Sequence, residues 1–114
     1  MLAAVGARCA ADQGAFWPMS ERLFATHRVE WGGVPRRDRA VIVEFAAEFG
    51  LDGPTFEACL DDPAVEEAVR LEQQAAQQLG INSTPNFLVN GRLLRGALSL
   101  RVFEDLLNQI EIAP

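Results

Sequence analysis

The chain has 114 residues, of which 49% are hydrophobic and 23% charged, a composition typical of one globular domain and not of a disordered segment. Its formal net charge of −6 argues against nucleic-acid binding, because such surfaces need clustered Lys and Arg. Two cysteines and one histidine are too few for a four-ligand zinc site, no apolar run is long enough to span a membrane, and no cofactor is expected.

The N-terminal apolar run predicts the first of several helices. The run from Leu2 to Ala7 is followed by Arg8 instead of being preceded by a basic region, so it is typical of mature helix and not of a secretory signal. The sequence as written therefore predicts a cytoplasmic protein. One helix is predicted from Leu2 to about Asp12, and a second from about Phe16 to Thr26.

Three further helices are predicted beyond a loop that runs from His27 to Pro35 and contains two glycines. The third runs from its cap Asp38 to Gly50, the fourth from Asp52 to Leu60, and the fifth from Asp62 to Gly80. His27 is predicted to place a favourable charge beside the end of the second helix and not to act as a catalytic base.

The pattern changes after the fifth helix. Asn86 to Val89 is predicted to be a short strand that turns at Asn90-Gly91 and returns through Arg92 to Leu94, since Asn-Gly suits a type I′ turn. Ser99 is predicted to cap a last amphipathic helix. An isolated two-stranded hairpin is marginal in water and exposes unpaired edges, so a further strand is expected from this chain or from another one.

These elements predict an α-rich α+β fold in which helices supply most of the core. The apolar positions at helical or strand spacing form the predicted core: Phe16, Trp17, Leu23, Phe24, Val41, Phe45, Phe49, Phe56, Leu60, Val69, Phe87, Val89, Phe103, Leu106 and Ile110.

Three segments carry a resemblance to a known family. GINSTPNFLVNGRLLRG, from Gly80 to Gly96, resembles the cis-proline loop and β-hairpin of DsbA-like thioredoxin-fold proteins. CAADQGAFWPMSERLF, from Cys9 to Phe24, and GLDGPTFEACL, from Gly50 to Leu60, are similar to the helical insertion of the same family. The resemblance implies a helical subdomain over 1–79, and a cis-proline loop, hairpin and C-terminal helix of a thioredoxin-like fold over 80–114.

The family's active site is absent from this sequence. DsbA-like oxidoreductases begin with a βαβ unit that presents Cys-x-x-Cys at a helix N-terminus, a placement that lowers the thiol pKa, as it does in DsbA itself. No Cys-x-x-Cys occurs here, so the resemblance implies a single truncated domain, the C-terminal part of such an enzyme, that is not redox-active alone. Members of the family are often exported, whereas the sequence as written predicts a cytoplasmic protein.

The resemblance also implies a peptide-binding loop at Ser83, Thr84 and Pro85. In the family, the backbone beside a cis-proline pairs with an extended substrate peptide, a form of strand addition in which main-chain hydrogen bonds supply affinity. The alternative is a trans proline that merely ends a loop.

Cys9 and Cys59 leave three possibilities open. They form a redox-active pair, or a structural disulfide that joins two helices of the insertion, or two buried free thiols that pack as small hydrophobic side chains. The sequence does not place their Cα atoms relative to one another.

Three functional hypotheses follow. The chain is a fragment or shortened relative of a DsbA-like oxidoreductase, a non-catalytic peptide-binding or self-assembling module, or a Cys9/Cys59 redox switch. The unpaired edge at Phe87 to Val89 predicts a homodimer or a partner chain that completes the sheet. A peptide or protein substrate is compatible with this chain, whereas nucleic acid and membrane are not expected as partners.

Overall fold

A computed structural model describes residues 1–110 of the chain. Over these residues it has six helices and one antiparallel pair of strands, so the predicted α-rich α+β class is confirmed. The elements are α1 (Leu2–Asp12), α2 (Phe16–Thr26), α3 (Pro35–Glu48), α4 (Gly53–Leu60), α5 (Pro63–Gln78), β1 (Asn86–Val89), β2 (Arg92–Arg95) and α6 (Leu100–Gln109).

The chain forms two compact units, and the division between them falls inside α5. The first unit, Met1–Glu72, holds the first four helices and the start of α5. The second unit begins at Gln73 and holds the rest of α5, the hairpin and α6. We refer to them as the helical unit and the hairpin unit.

The helical unit has a continuous apolar core around α1, which packs against α2, α3 and α4. Met19, Ile42 and Phe56 are fully buried there, and burial of such side chains is the main favourable contribution to folding. Gly6 of α1 lies against α3, since a Cβ built at Gly6 would be 3.0 Å from Cγ2 of Ile42. The absence of a side chain at this position therefore sets how closely α1 and α3 approach.

The start of α4 is capped as predicted. The Asp52 carboxylate accepts a hydrogen bond from the backbone N–H of Thr55 over 2.8 Å, which satisfies one of the unpaired donors of the first helical turn. The hydrogen bonds from Thr55 lower the pKa of the Asp52 carboxyl below its ordinary value, because they favour its charged form.

The start of α3 differs from the prediction, which placed the cap at Asp38. The helix begins at Pro35, with Val34 as its N-cap residue, since proline has the φ of a helix and no N–H to leave unpaired in the first turn. Asp38 lies in that first turn, where its Oδ1 accepts a hydrogen bond from Gly32 N–H over 2.9 Å. It therefore fastens the preceding loop and does not cap the helix.

The hairpin unit is built on the predicted turn. β1 pairs with β2 in the register that joins Val89 to Arg92 and Phe87 to Leu94, and Asn90 and Gly91 both have positive φ, as a type I′ turn requires. Phe87 packs edge-on against Phe103 of α6, with ring centroids 5.0 Å apart, and Leu94 is buried. The prediction of the hairpin and the final helix is confirmed.

The predicted core is wrong for four aromatic residues. Trp17 and Phe24 of α2 are 72% and 86% exposed, and Phe16 and Phe87 are also exposed. Helix α2 buries Leu23, as predicted, together with Met19, because α1 and α3 cover only one narrow stripe of its surface. The spacing of apolar residues indicates a helical face but not how much of that face other elements cover.

Candidate functional site

The loop before β1 holds the three residues predicted to bind a peptide. Ser83, Thr84 and Pro85 are all exposed, and the Thr84–Pro85 peptide bond is cis. Asn86 is partly buried, and its side-chain amide donates a hydrogen bond to the backbone carbonyl of Ser83. The loop is therefore exposed to solvent, and the Asn86 side chain stabilises it through a hydrogen bond to its backbone.

Two hydrogen bonds from the far end of the hairpin fasten both ends of this loop. The Gly96 N–H donates to the carbonyl of Pro85 over 2.9 Å. The Arg95 guanidinium donates to the carbonyl of Gly80 over 3.0 Å, just past the end of α5. The loop is thus held between β2 and the end of a helix, which favours one backbone geometry.

Within residues 1–110, no further strand pairs with the outer edge of β1. In an antiparallel pair, hydrogen-bonded and non-hydrogen-bonded residue pairs alternate. Gly96 N–H bonds to Pro85 O, so the bonded pairs include residues 85, 87 and 89, and the backbone groups of Asn86 and Leu88 point away from β2. The sheet has two strands within the described residues. This edge is therefore available for another strand.

Cys9 and Cys59 form a disulfide between α1 and α4, with Cα atoms 5.8 Å apart. The prediction left a dithiol, a disulfide and two free thiols open, and the structure has the disulfide. Cys9 is buried, whereas Cys59 is half-buried. Asp12 Oδ2 lies 3.8 Å from Cys59 Sγ, but a disulfide sulfur has no proton to donate, so this is a contact and not a hydrogen bond.

His27 follows the last residue of α2 and packs on Trp31. The two ring centroids are 4.6 Å apart, and the Trp31 indole N–H lies 3.1 Å from both the carbonyl of Leu23 and the hydroxyl of Thr26. No ion pair or nucleophile engages His27 among the residues that the structure describes. This contact indicates a structural role in closing the loop after α2.

Sequence reasoning missed an apolar groove in the helical unit. The groove has a volume of about 830 Å³ and lies between α1, α2 and the start of α5. Two exposed aromatic residues, Phe16 and Phe24, contribute to its lining. The available signal was the repeat of Ala3, Ala7 and Ala11 at four-residue spacing, which places small side chains along one face of α1.

Neither a metal centre nor a membrane span is found over residues 1–110. No cluster of His, Cys, Asp and Glu in that range has the arrangement of metal ligands. In the same range, no helix combines the length and the apolar character that crossing a bilayer requires.

Comparison with known proteins gives one family and several partial relatives. A family model for the DSBA-like thioredoxin domain matches residues 2–108. Na(+)/H(+) antiporter NhaA of Herminiimonas arsenicoxydans is 40% identical over 101 residues, which are 88% of this chain and 15% of that protein. Na(+)/H(+) antiporter NhaA 3 of Salinispora tropica is 32% identical over 99 residues, 87% of this chain and 14% of that protein.

A third relative, Na(+)/H(+) antiporter NhaA 1 of Mycobacterium sp. (strain KMS), is 36% identical over 90 residues, 76% of this chain and 13% of that protein. The chain thus spans about one seventh of the length of the curated relatives that it matches. No solved structure matches it.

Proposed function

The chain belongs to the DsbA-like thioredoxin family, and on that premise we propose that it is the peptide-binding part of a thiol–disulfide oxidoreductase, without redox turnover of its own. The outer edge of β1, continuous with the exposed loop at Ser83, Thr84 and Pro85, is the observation that carries this proposal. We further propose that the helical unit and the hairpin unit belong to one DsbA-like domain.

The lack of turnover follows from the cysteine content. Thiol–disulfide exchange starts when a thiolate attacks a disulfide sulfur. The sequence holds two cysteines and no Cys-x-x-Cys, and the two cysteines are bonded to each other. Neither one is then a thiolate, so the chain has no nucleophile with which to open a substrate disulfide.

Peptide binding follows from the geometry of the strand edge. The N–H and C=O groups of Asn86 and Leu88 point away from β2, as required for strand addition, in which an extended peptide pairs with the edge of a sheet. Leu88 is 55% exposed, and it shares one face of the hairpin with its partner Leu93. An extended peptide with apolar side chains at alternate positions fits this edge best.

A proline substitution tests the edge directly. Leu88→Pro removes the outward N–H without removing a bond of the β1–β2 ladder, whereas Leu88→Ala removes more of the side chain and keeps the donor. We expect Leu88→Pro to weaken binding of an extended apolar peptide by about fivefold to tenfold relative to Leu88→Ala. Isothermal titration calorimetry measures the difference, and circular dichroism checks the fold of both variants.

An insulin-reduction assay tests the second half of the proposal. The wild-type chain should not accelerate insulin reduction by dithiothreitol, and Cys59→Ala should give the same rate. A turnover that depends on Cys59 would contradict the proposal, and so would equal peptide affinities of the Leu88→Pro and Leu88→Ala variants.

The same edge supports self-association as a second function. A second copy that paired its own Phe87 to Val89 segment with this edge would extend the sheet to four strands and satisfy the free backbone groups of both copies. A partner chain with a matching strand would do the same. Sedimentation equilibrium of the wild-type chain and of Leu88→Pro tests the homodimer. The proline should weaken a dimer that pairs at this edge and leave a dimer formed through another surface unchanged.

The half-buried position of Cys59 supports a redox switch as a further candidate. An external thiolate would attack Cys59 Sγ, form a mixed disulfide with it and release Cys9 as a thiolate, and a second thiol would then release Cys59. Disulfides persist in oxidising compartments and are rare in the cytosol. Trapping the thiols of the natural protein with a mass-shifting alkylating reagent shows which state it holds.

The names of the relatives suggest a setting for this module. They are named as Na(+)/H(+) antiporters, and the chain matches about one seventh of their length. We assign the chain the thiol–disulfide family's peptide-binding role and not ion exchange, because the family match covers residues 2–108. In this proposal the module works within or beside a transporter and binds an extended segment of it or of its partner.

A further inference from the structure

The apolar groove of the helical unit is lined by small side chains of α1 on one side and by aromatic side chains of α2 on another. These residues are Ala3, Ala7 and Ala11 of α1 and Phe16 and Phe24 of α2. Phe24 is 86% exposed. Contiguous exposed apolar surface of this kind is a feature of binding grooves and protein–protein interaction sites.

The row of small side chains on α1 favours a helix as the occupant. The three alanines span nine residues of α1, and Ala3 and Ala11 are about 12 Å, or two helical turns, apart along the helix axis. Small side chains over that length let a second helix approach closely, and its larger side chains then fill the groove between α2 and α5. Amphipathic helices bind in such grooves through anchors spaced three, four and seven residues apart.

The charged residues at the edge of the groove indicate which charge a bound helix carries. Arg8 and Glu72 pair with each other across 2.7 Å. Within residues 1–110 the Asp12 carboxylate has no salt-bridge partner, and its Oδ2 lies 3.8 Å from Cys59 Sγ. Asp12 is the last residue of α1, where the helix dipole is negative and attracts cations. This end of the groove therefore favours a positive charge.

The charge of the helical unit argues against a second copy as the occupant. Residues 1–72 contain thirteen acidic and seven basic residues, so this segment accounts for the whole net charge of −6. The most strongly amphipathic helix of the described chain, α6, carries Glu104 and Asp105. With one basic residue, Arg101, against these two carboxylates, α6 has a net charge of −1 over Leu100–Gln109, so it is repelled by a unit with a net charge of −6.

We propose that the groove binds an amphipathic α-helix of a partner protein, with large apolar side chains on one face and Arg or Lys at the end that lies beside Asp12. This proposal is independent of the strand edge of β1, because it uses other residues and another kind of ligand. The two surfaces could fail or succeed separately.

Three fluorescein-labelled model peptides of about 18 residues, five helical turns, test the proposal by fluorescence anisotropy. The first is a Leu/Ala/Arg helix with leucines on one face and arginines at one end. The second has Glu in place of Arg, and the third has the composition of the first in an order that destroys the apolar face. The wild-type chain should bind the first at least about tenfold more tightly than either of the others.

Variants at exposed positions locate the site without threatening the fold. Phe24→Ser removes an aromatic side chain from the α2 side of the groove, and Ala11→Trp fills the groove. Each change should lower the affinity for the first peptide by at least about tenfold. Asp12→Asn should lower it by about threefold to fivefold at about 0.05 M salt, and much less at about 0.5 M. Val29→Ser and Glu21→Gln, exposed positions outside the groove, should change it by less than about twofold.

Several results would overturn the proposal. One is that the wild-type chain fails to bind the basic peptide, or binds all three peptides equally. Another is that Phe24→Ser and Ala11→Trp both bind the first peptide as tightly as the wild-type chain does. Sedimentation of the wild-type chain as a dimer that Phe24→Ser dissociates would also overturn it, because a second copy would then occupy the groove. Thermal unfolding of every variant confirms that lost binding does not reflect lost folding.

Discussion

Breaking the Cys9–Cys59 disulfide should strongly destabilise the helical unit. The best single change is Cys59→Ala, because Cys59 is half-buried whereas Cys9 is 1% exposed in the core. The variant keeps Cys9 as a buried thiol, which packs as a small hydrophobic side chain. The change therefore removes the covalent link between α1 and α4 and leaves the core almost filled.

The size of the effect follows from the loop that the disulfide closes. The two cysteines are separated by 50 residues, and the chain-entropy relation for a loop of that length gives a loss of about 4 kcal/mol in the free energy of unfolding at 25 °C. With a urea m-value of about 1.5 kcal/mol per molar, the midpoint of unfolding should fall by roughly 2–3 M.

Tryptophan fluorescence in urea is a suitable assay, because the only two tryptophans, Trp17 and Trp31, both lie in the helical unit. The wild-type chain is unfolded with and without dithiothreitol, and so is Cys59→Ala. The reductant should lower the wild-type midpoint to that of the variant and leave the variant unchanged. A loss below about 1 kcal/mol on reduction, or an equal effect of the reductant on the variant, would refute the reasoning.

Three further changes test the fold. Phe56→Ala, at a fully buried position, should lower the free energy of unfolding by about 3–5 kcal/mol in urea titrations. Gly32→Ala should destabilise the helical unit by about 1–3 kcal/mol, because Gly32 has φ +113° and a Cβ there would be 2.7 Å from the His27 ring. Gly33→Ala is the matched control, because a Cβ at Gly33 would have no atom within 4 Å. Asp52→Ala should lower the melting temperature at neutral pH, because it removes the cap of α4. Folding depresses the pKa of Asp52, so the cap's contribution is present above the unfolded-state pKa and is lost as pH falls through the folded-state pKa. The melting temperatures of Asp52→Ala and wild type should therefore converge in acid.

Local signals made most of the secondary structure predictable from the sequence. The Asp52 cap and the Asn90-Gly91 turn each depend on a few neighbouring residues, and both are found where the sequence predicts them. The sequence places the N-cap of α3 at Asp38, four residues after the observed N-cap Val34, because Pro35 and Asp38 both favour a helix start and the proline is first along the chain. Two adjacent start signals of this kind compete, and sequence reasoning alone ranks them poorly.

The tertiary features were much less accessible. Trp17 and Phe24 were predicted in the core, but their exposure depends on which stripe of α2 the neighbouring helices cover. Pairing of Cys9 with Cys59 depends on the packing of α1 against α4, which brings together residues 50 positions apart. The groove was missed for the same reason, since its walls come from separate helices.

An NMR titration of the ¹⁵N-labelled chain with an extended apolar peptide tests the central claim most directly. The account predicts that the amide signals of Asn86 and Leu88 shift with increasing peptide and that their hydrogen exchange slows. In Leu88→Pro, the Asn86 signal should saturate only at about fivefold to tenfold higher peptide concentration than in Leu88→Ala. The account would be contradicted if neither amide signal shifted, or if only signals of the helical unit shifted.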